Sequence, residues 1–151
     1  MTPVAVTGRR IPAAALLLGL AGVIPFAWGA LALLSPAVAS WSLDALGSRL
    51  TGRTLLILYG TIILSFMSGA VWGFGTRAEG RHAGVLYALS TLPALWALFA
   101  GFSAIALALG FLALLILDAH ATRAGLAPPW WFRLRLLLTA LVVPCLLVGL
   151  P

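Results

Sequence analysis

Long stretches without a charged side chain make up most of this chain of 151 residues. The stretches 11–34, 54–74 and 83–117 contain no Asp, Glu, Lys or Arg, and a fourth, 134–150, contains only Arg135. A helix that crosses the hydrocarbon core of a bilayer needs about 20 apolar residues, which each stretch supplies or approaches. Only 8% of the residues are charged, against about 25% in soluble domains. The sequence therefore excludes a soluble globular domain and predicts an all-α polytopic membrane protein.

The third stretch is too long for one spanning helix. Its 35 residues would form a helix of about 52 Å, which exceeds the bilayer core of about 30 Å. Two shorter helices joined by a turn at Gly101, Phe102 and Ser103 fit the core better. We therefore expect five transmembrane helices in a single transmembrane domain over 11–151, at about 11–34, 54–74, 83–100, 102–118 and 134–150.

The arginines indicate how these helices are oriented. All nine basic residues are Arg, and cytoplasmic loops collect Arg more than translocated loops do. With five helices and a cytoplasmic N-terminus, only Arg49 and Arg53 lie outside. With a single helix over 83–117, four arginines would lie inside and five outside, which is no bias. We predict a cytoplasmic tail over 1–10 and an external C-terminus. The seven inner arginines are then Arg9, Arg10, Arg77, Arg81, Arg123, Arg133 and Arg135.

The second predicted helix carries a stripe of small residues. Thr61, Ser65, Gly69 and Gly73 follow one another at four-residue spacing, so they share one face of the helix. Small side chains let another helix backbone approach closely in a membrane. The stripe predicts a packing surface, either against another helix of this chain or against a partner protein.

Polar and aromatic residues gather where the last two helices meet the predicted inner surface. We expect Asp118, Arg123, Trp130, Trp131 and Arg135 to anchor the protein there. A guanidinium about one turn inside the membrane must find acceptors or extend to the headgroups. Arg135 is therefore expected either to pair with Asp118 or the carbonyls that end helix four, or to extend to the headgroups.

The remaining ionisable groups form no recognisable reaction centre. Asp44, Glu79, His82, Asp118 and His120 are all expected in loops or at helix ends. Asp118 and His120 resemble a pair of metal ligands, but a catalytic zinc site needs three and a structural one about four. We expect no catalytic residue, no metal site and no cofactor. The arginines form no clustered basic face, so a nucleic-acid partner is not expected either.

Short motifs are spread over nearly the whole chain. They include Ile11-Pro12, Ile24-Pro25-Phe26, Tyr59-Gly60, Trp72-Gly73, Pro93, Trp96, Asp118, Gly125, Trp130, Leu134-Arg135 and Leu138-Thr139. In their order and spacing they resemble the motifs of a family of small bacterial and mitochondrial membrane proteins of unknown function, the family that includes transmembrane protein 69. Trp131 stands where the family pattern has Tyr. This resemblance implies an inner-membrane location, bacterial or mitochondrial, and implies no substrate or cofactor.

Three functions are compatible with these features. We expect a non-enzymatic accessory, assembly or scaffold component of a membrane protein complex, whose partners are the lipid bilayer and either a larger complex or a second copy of itself. A small-molecule transporter or channel is the first alternative, because Pro25, Pro93 and Pro144 are expected to kink three of the helices. An intramembrane enzyme is the second alternative.

Overall fold

The computed structural model describes residues 10–100 and 102–148, apart from the side chain of residue 100. Within these residues the fold is entirely helical and has no strand. A single turn of 3-10 helix, Ser48–Leu50, follows the third of seven α-helices. The α-helices are α1 Ala13–Ala21, α2 Ile24–Leu34, α3 Pro36–Leu46, α4 Gly52–Gly75, α5 Gly80–Ala100, α6 Ala104–Arg123 and α7 Trp131–Leu147.

Four segments of the described chain are long and apolar enough to cross a membrane. They are Ala13–Leu34, which combines α1 and α2, and Gly52–Gly75, Gly80–Phe99 and Ala104–Arg123. The fifth predicted span corresponds to α7, whose 17 residues form a helix of about 26 Å. The protein is thus a multi-pass membrane protein, whereas the fifth span and the orientation of the termini stay predictions.

The longest apolar stretch consists of two helices. α5 ends at Ala100 and α6 begins at Ala104, so Phe102 and Ser103 lie between them, while Gly101 lies outside the described residues. The Ser103 hydroxyl accepts a hydrogen bond from the Ala106 backbone N–H and caps the start of α6. Such a cap satisfies one of the amides that a helix start leaves without a partner.

The first spanning segment is interrupted near its middle. α1 ends at Ala21 and α2 begins at Ile24, with Pro25 in the first turn of α2. Proline has no backbone N–H, so it cannot donate to the carbonyl of Ala21 as a continuous helix would require. Pro93 and Pro144, by contrast, lie inside α5 and α7, each of which remains a single helix.

α6 is longer than its apolar sequence predicts. Its expected end was residue 118, but the helix continues to Arg123. It ends where Gly125 adopts a φ of 71° and the Leu126 N–H donates to the Ala121 carbonyl over 2.9 Å. This glycine-based cap is a Schellman motif. Asp118 therefore lies within α6 and not at a helix end, which corrects the prediction.

The core lies where α2, α4, α6 and α7 meet. Phe26 of α2, Leu64 of α4, Phe111 of α6 and Leu146 of α7 belong to one buried cluster. The Phe26 and Phe111 rings pack edge to face with centroids 6.1 Å apart. Large apolar side chains also cover the outside, as expected for helices whose solvent is lipid. The exposed set includes Leu17, Leu18, Ile24, Phe66, Leu98, Phe99, Phe102 and Ile116.

Candidate functional site

The small-residue stripe of α4 does not pack within the chain. A Cβ added at Gly69 or Gly73 would have no atom of the described residues within 4 Å. The hydroxyls of Thr61 and Ser65 donate to carbonyls of α4 itself, at 2.8 and 2.9 Å. The expectation that this stripe packs against another helix of the chain is therefore wrong at Gly69 and Gly73. The alternative, contact with a partner protein, stays a prediction.

A neighbouring face of α4 is the buried one. A Cβ at Gly60 would lie 3.1 Å from Leu107 Cδ1 of α6, and Leu64 and Val71 are fully buried in the core. Successive helix residues point about 100° apart, so this face and the stripe lie side by side on α4. α4 thus packs closely against its neighbours at Gly60, and the stripe remains at the surface.

A shallow groove runs beside the exposed stripe, between α4 and α5. Two of its lining residues, Gly69 of α4 and Ala94 of α5, have little or no side chain, which leaves the groove open. The Ser68 hydroxyl donates to the Ser90 carbonyl and joins the two helices beneath the groove. The groove measures about 500 Å³ and is lined by Ser68, Gly69, Trp72, Ser90, Thr91, Ala94 and Leu95.

A buried ion pair joins α6 to α7. Arg135 Nε donates to Asp118 Oδ2 over 2.8 Å, and Trp131 Nε1 donates to Asp118 Oδ1 over 2.6 Å. Asp118 is 1% exposed and Arg135 is 4% exposed. Of the two arrangements expected for Arg135, the structure has the pairing with Asp118. Both side chains are buried among the described residues, and the anchoring of these residues at the inner surface stays a prediction.

The spacing of residues along α7 explains how the Asp118 carboxylate accepts hydrogen bonds from two side chains. Trp131 and Arg135 lie four residues apart, so their side chains emerge from the same face of the helix. The extension of α6 beyond its apolar run brings Asp118 opposite that face. Trp131 also packs edge to face on Phe74 of α4, with ring centroids 5.1 Å apart. Of the other expected anchors, Arg123 is exposed and Trp130 is partly buried.

The guanidinium of Arg135 is only partly satisfied by Asp118. Its Nη2 atom and the Thr139 hydroxyl are buried and have no hydrogen-bond partner among the described residues. Both residues line a cavity of about 160 Å³. Its other walls are apolar and comprise Leu18, Gly19, Gly22, Val23, Phe26, Ile63, Phe66, Met67, Phe111, Leu138 and Val142.

The sequence contains a pattern that indicates this buried polar face of α7, but the prediction did not use it. Trp131, Arg135 and Thr139 follow one another at four-residue spacing in an otherwise apolar helix. Such a series faces one direction, and polar groups inside a membrane helix mostly face the bundle interior. The prediction named Trp131 and Arg135 but missed Thr139 as part of the same face.

The two histidines meet each other and not Asp118. His82 Nε2, near the start of α5, lies 3.2 Å from His120 Nε2, near the end of α6, and both side chains are exposed. Within the described residues, no group of three or more His, Cys, Asp or Glu side chains could hold a metal ion. The pair that the sequence suggested, Asp118 with His120, is not formed.

A comparison with known protein families matches residues 11–151 to one described as "Protein of unknown function (DUF3429)". No curated protein and no solved structure matches the chain. The match confirms the expectation of an uncharacterised family. The specific link to transmembrane protein 69 stays a prediction.

Proposed function

Since the chain belongs to the DUF3429 family of proteins of unknown function, we propose its role from its own surface: it is a non-enzymatic accessory component of a membrane protein complex. The groove between α4 and α5 receives a transmembrane helix of another protein. The observation that carries this proposal is the exposure of Gly69 and Gly73 on α4.

Glycine is a poor choice for a helix surface that meets only lipid. It costs about 1 kcal/mol relative to alanine in a helix interior, and lipid tails are as apolar as leucine, so bulky side chains serve equally well there. Glycine becomes useful where a second helix approaches closely, because the two backbones can then come into contact. Two exposed glycines one turn apart beside a groove therefore support a helical partner.

The rim of the groove supplies larger contact groups. Trp72 is about half exposed and packs against Tyr87, with ring centroids 4.6 Å apart. An aromatic side chain held in this way offers a large contact area at little cost in conformational entropy. A partner helix would rest its small residues on the stripe and its larger side chains against Trp72.

We further propose five membrane spans with a cytoplasmic N-terminus and an external C-terminus, in a bacterial or mitochondrial inner membrane. The Arg77 guanidinium donates to the Leu126 carbonyl over 3.2 Å, so the end of α4 lies beside the loop before α7. The contact between His82 and His120 puts the start of α5 and the end of α6 on one side as well. Both contacts support helices α4 to α7 that cross the membrane in alternating directions. On the resemblance of their sequence motifs, we also propose transmembrane protein 69 as a relative.

The test of the docking proposal is extraction of tagged protein from its native membrane in a mild detergent, followed by identification of what co-migrates. Gly69→Leu should remove the partner, because the new side chain blocks close approach. The melting temperature of the isolated variant should stay the same or rise, because Leu favours the helix more than Gly does.

Gly60→Leu is the matched control on the buried face of α4. A Cβ at Gly60 would lie 3.1 Å from Leu107 and 3.6 Å from both Leu146 and Phe26, so this variant should lose stability. A partner that stays bound to Gly69→Leu overturns the docking proposal. Co-migration of only a second copy of this chain would also overturn it, because the occupant is then the protein itself.

A further inference from the structure

The cavity between α1, α2, α4, α6 and α7 has the properties of a ligand site. We propose that it binds the head of a lipid-soluble quinone, that is, a neutral six-membered ring that carries a carbonyl oxygen and an apolar tail. This inference does not depend on the docking proposal, whose groove lies between α4 and α5.

Two buried donors point to a hydrogen-bond acceptor as ligand. Arg135 Nη2 and the Thr139 hydroxyl lack partners among residues 10–100 and 102–148, and both residues line the cavity. Buried polar groups in native proteins are nearly always hydrogen-bonded, and leaving one unpaired is costly. Because Arg135 and Thr139 are one turn apart on α7, their donors can converge on one oxygen or on two neighbouring ones.

The charge balance favours a neutral acceptor. The positive charge of Arg135 is already matched by the Asp118 carboxylate at 2.8 Å. A carboxylate or phosphate in the cavity would add a buried negative charge without a counter-ion beside that pair, which is strongly unfavourable. A carbonyl oxygen accepts hydrogen bonds and adds no net charge.

The size and lining of the cavity favour a ring. A dry protein cavity of about 150 Å³ accommodates a benzene molecule, and this cavity measures about 160 Å³. Phe26 and Phe111 contribute aromatic walls against which a planar ring can stack. Apart from Arg135 and Thr139, the remaining lining residues are apolar too and include the aromatic ring of Phe66.

The position of the cavity allows entry from the lipid. Leu18 of α1 and Phe66 of α4 line it, although they are 75% and 68% exposed. The cavity thus reaches the lipid-facing surface between these two helices, where an apolar tail can remain in the bilayer. Thr139 lies eight residues into α7, a depth of about 12 Å along the helix axis, so the ligand must partition into hydrocarbon before it binds.

The test measures saturable binding of decylubiquinone to the detergent-purified protein by its shift of the melting temperature. Oleate serves as an anionic probe and dioleoylglycerol as a neutral ester probe. We expect saturation by decylubiquinone alone. A photoreactive azidoquinone should label Phe66 or its neighbours, and an excess of decylubiquinone should prevent that labelling.

Two variants separate binding from folding. Thr139→Val keeps the side-chain volume but removes the hydroxyl, so binding should weaken about fivefold to tenfold, the worth of one hydrogen bond. The melting temperature without ligand should stay the same or rise, because a buried unpaired hydroxyl is replaced by a methyl group. Val23→Phe should fill the cavity and abolish binding. Thr76→Val is the matched control on an exposed residue outside the cavity and should leave the affinity unchanged.

Unchanged affinity in Thr139→Val overturns the proposal. Failure of decylubiquinone to saturate, labelling remote from the cavity, or saturation by oleate or dioleoylglycerol in its place would each overturn it as well. Because the docking variants lie on another face of α4, this result is independent of whether Gly69→Leu loses a partner.

Discussion

Removal of the Asp118 carboxylate should unfold the protein more readily than removal of the Arg135 guanidinium. In Asp118→Ala, the guanidinium remains buried between α6 and α7 and Trp131 Nε1 loses its acceptor. In Arg135→Met, the carboxylate keeps the hydrogen bond from Trp131 Nε1, so one charge-assisted interaction remains. In Asp118→Ala, both donors lose their acceptor at once. Loss of the Asp118 side chain should therefore cost more stability than loss of the Arg135 side chain.

The size of the effect follows from the burial and the geometry. Opposite charges about 4 Å apart attract each other by about 4 kcal/mol at an effective dielectric constant of about 20. Removal of one partner of a buried pair costs about 3–5 kcal/mol in measured cases, and loss of a hydrogen bond to a charged group costs about 1.5–3 kcal/mol. We expect about 4–6 kcal/mol for Asp118→Ala, which also loses the hydrogen bond from Trp131, and about 3 kcal/mol for Arg135→Met, which keeps it.

The assay is the free energy of unfolding from SDS titration in mixed micelles, applied to both single variants and to the double variant Asp118→Leu/Arg135→Met. Replacement of a whole buried pair by apolar residues is often neutral, so the double variant should be more stable than Asp118→Ala. A further Trp131→Phe exchange should recover more stability, because it removes the indole N–H that lacks an acceptor. Single variants that each cost less than about 1 kcal/mol would show that the pair is solvated, which refutes the reasoning.

Two further predictions concern the fold. Reporter fusions after Gly80 and Gly125 should read as cytoplasmic and a fusion after Pro151 as external; a cytoplasmic C-terminus would contradict the five-span topology. Gly110→Leu should destabilise the protein by about 1–3 kcal/mol or more in the same SDS titration, because a Cβ there would lie 2.6 Å from Leu64 Cδ2 and 2.8 Å from Trp96 Cδ1. Wild-type stability of this variant would mean that α5 and α6 do not pack as described.

The helices could be predicted from the sequence because lipid imposes one simple requirement on them. Uncharged stretches of sufficient length mark where the chain can lie in hydrocarbon, and the two helices over 83–117 follow from length alone. Pro25 likewise marks the break between α1 and α2, because the missing N–H has a local effect. These features depend on residues close together in the chain.

The packed face of α4 could not be predicted in the same way. A helix that is apolar all round has no polar side to mark its exposed surface, and lipid competes with protein for every apolar face. Gly60 is buried because Leu107 and Phe26 come from α6 and α2 to cover it, whereas nothing in the described chain covers Gly69. The four-residue spacing of the stripe correctly identifies a shared face but does not say which neighbour that face meets.

The buried ion pair likewise depends on residues that lie far from Asp118 in the chain, which hydropathy alone does not reveal. Hydropathy places the membrane boundary at Asp118, where the apolar run ends, but the helix continues until the cap at Gly125 stops it. Those extra residues hold the carboxylate against α7, where Trp131 and Arg135 share one face. A charged residue at the end of an apolar run is therefore not necessarily at the end of its helix. In this chain that difference brings Asp118 into a buried contact with Arg135, whose Nη2 has no hydrogen-bond partner among the described residues and which lines the cavity.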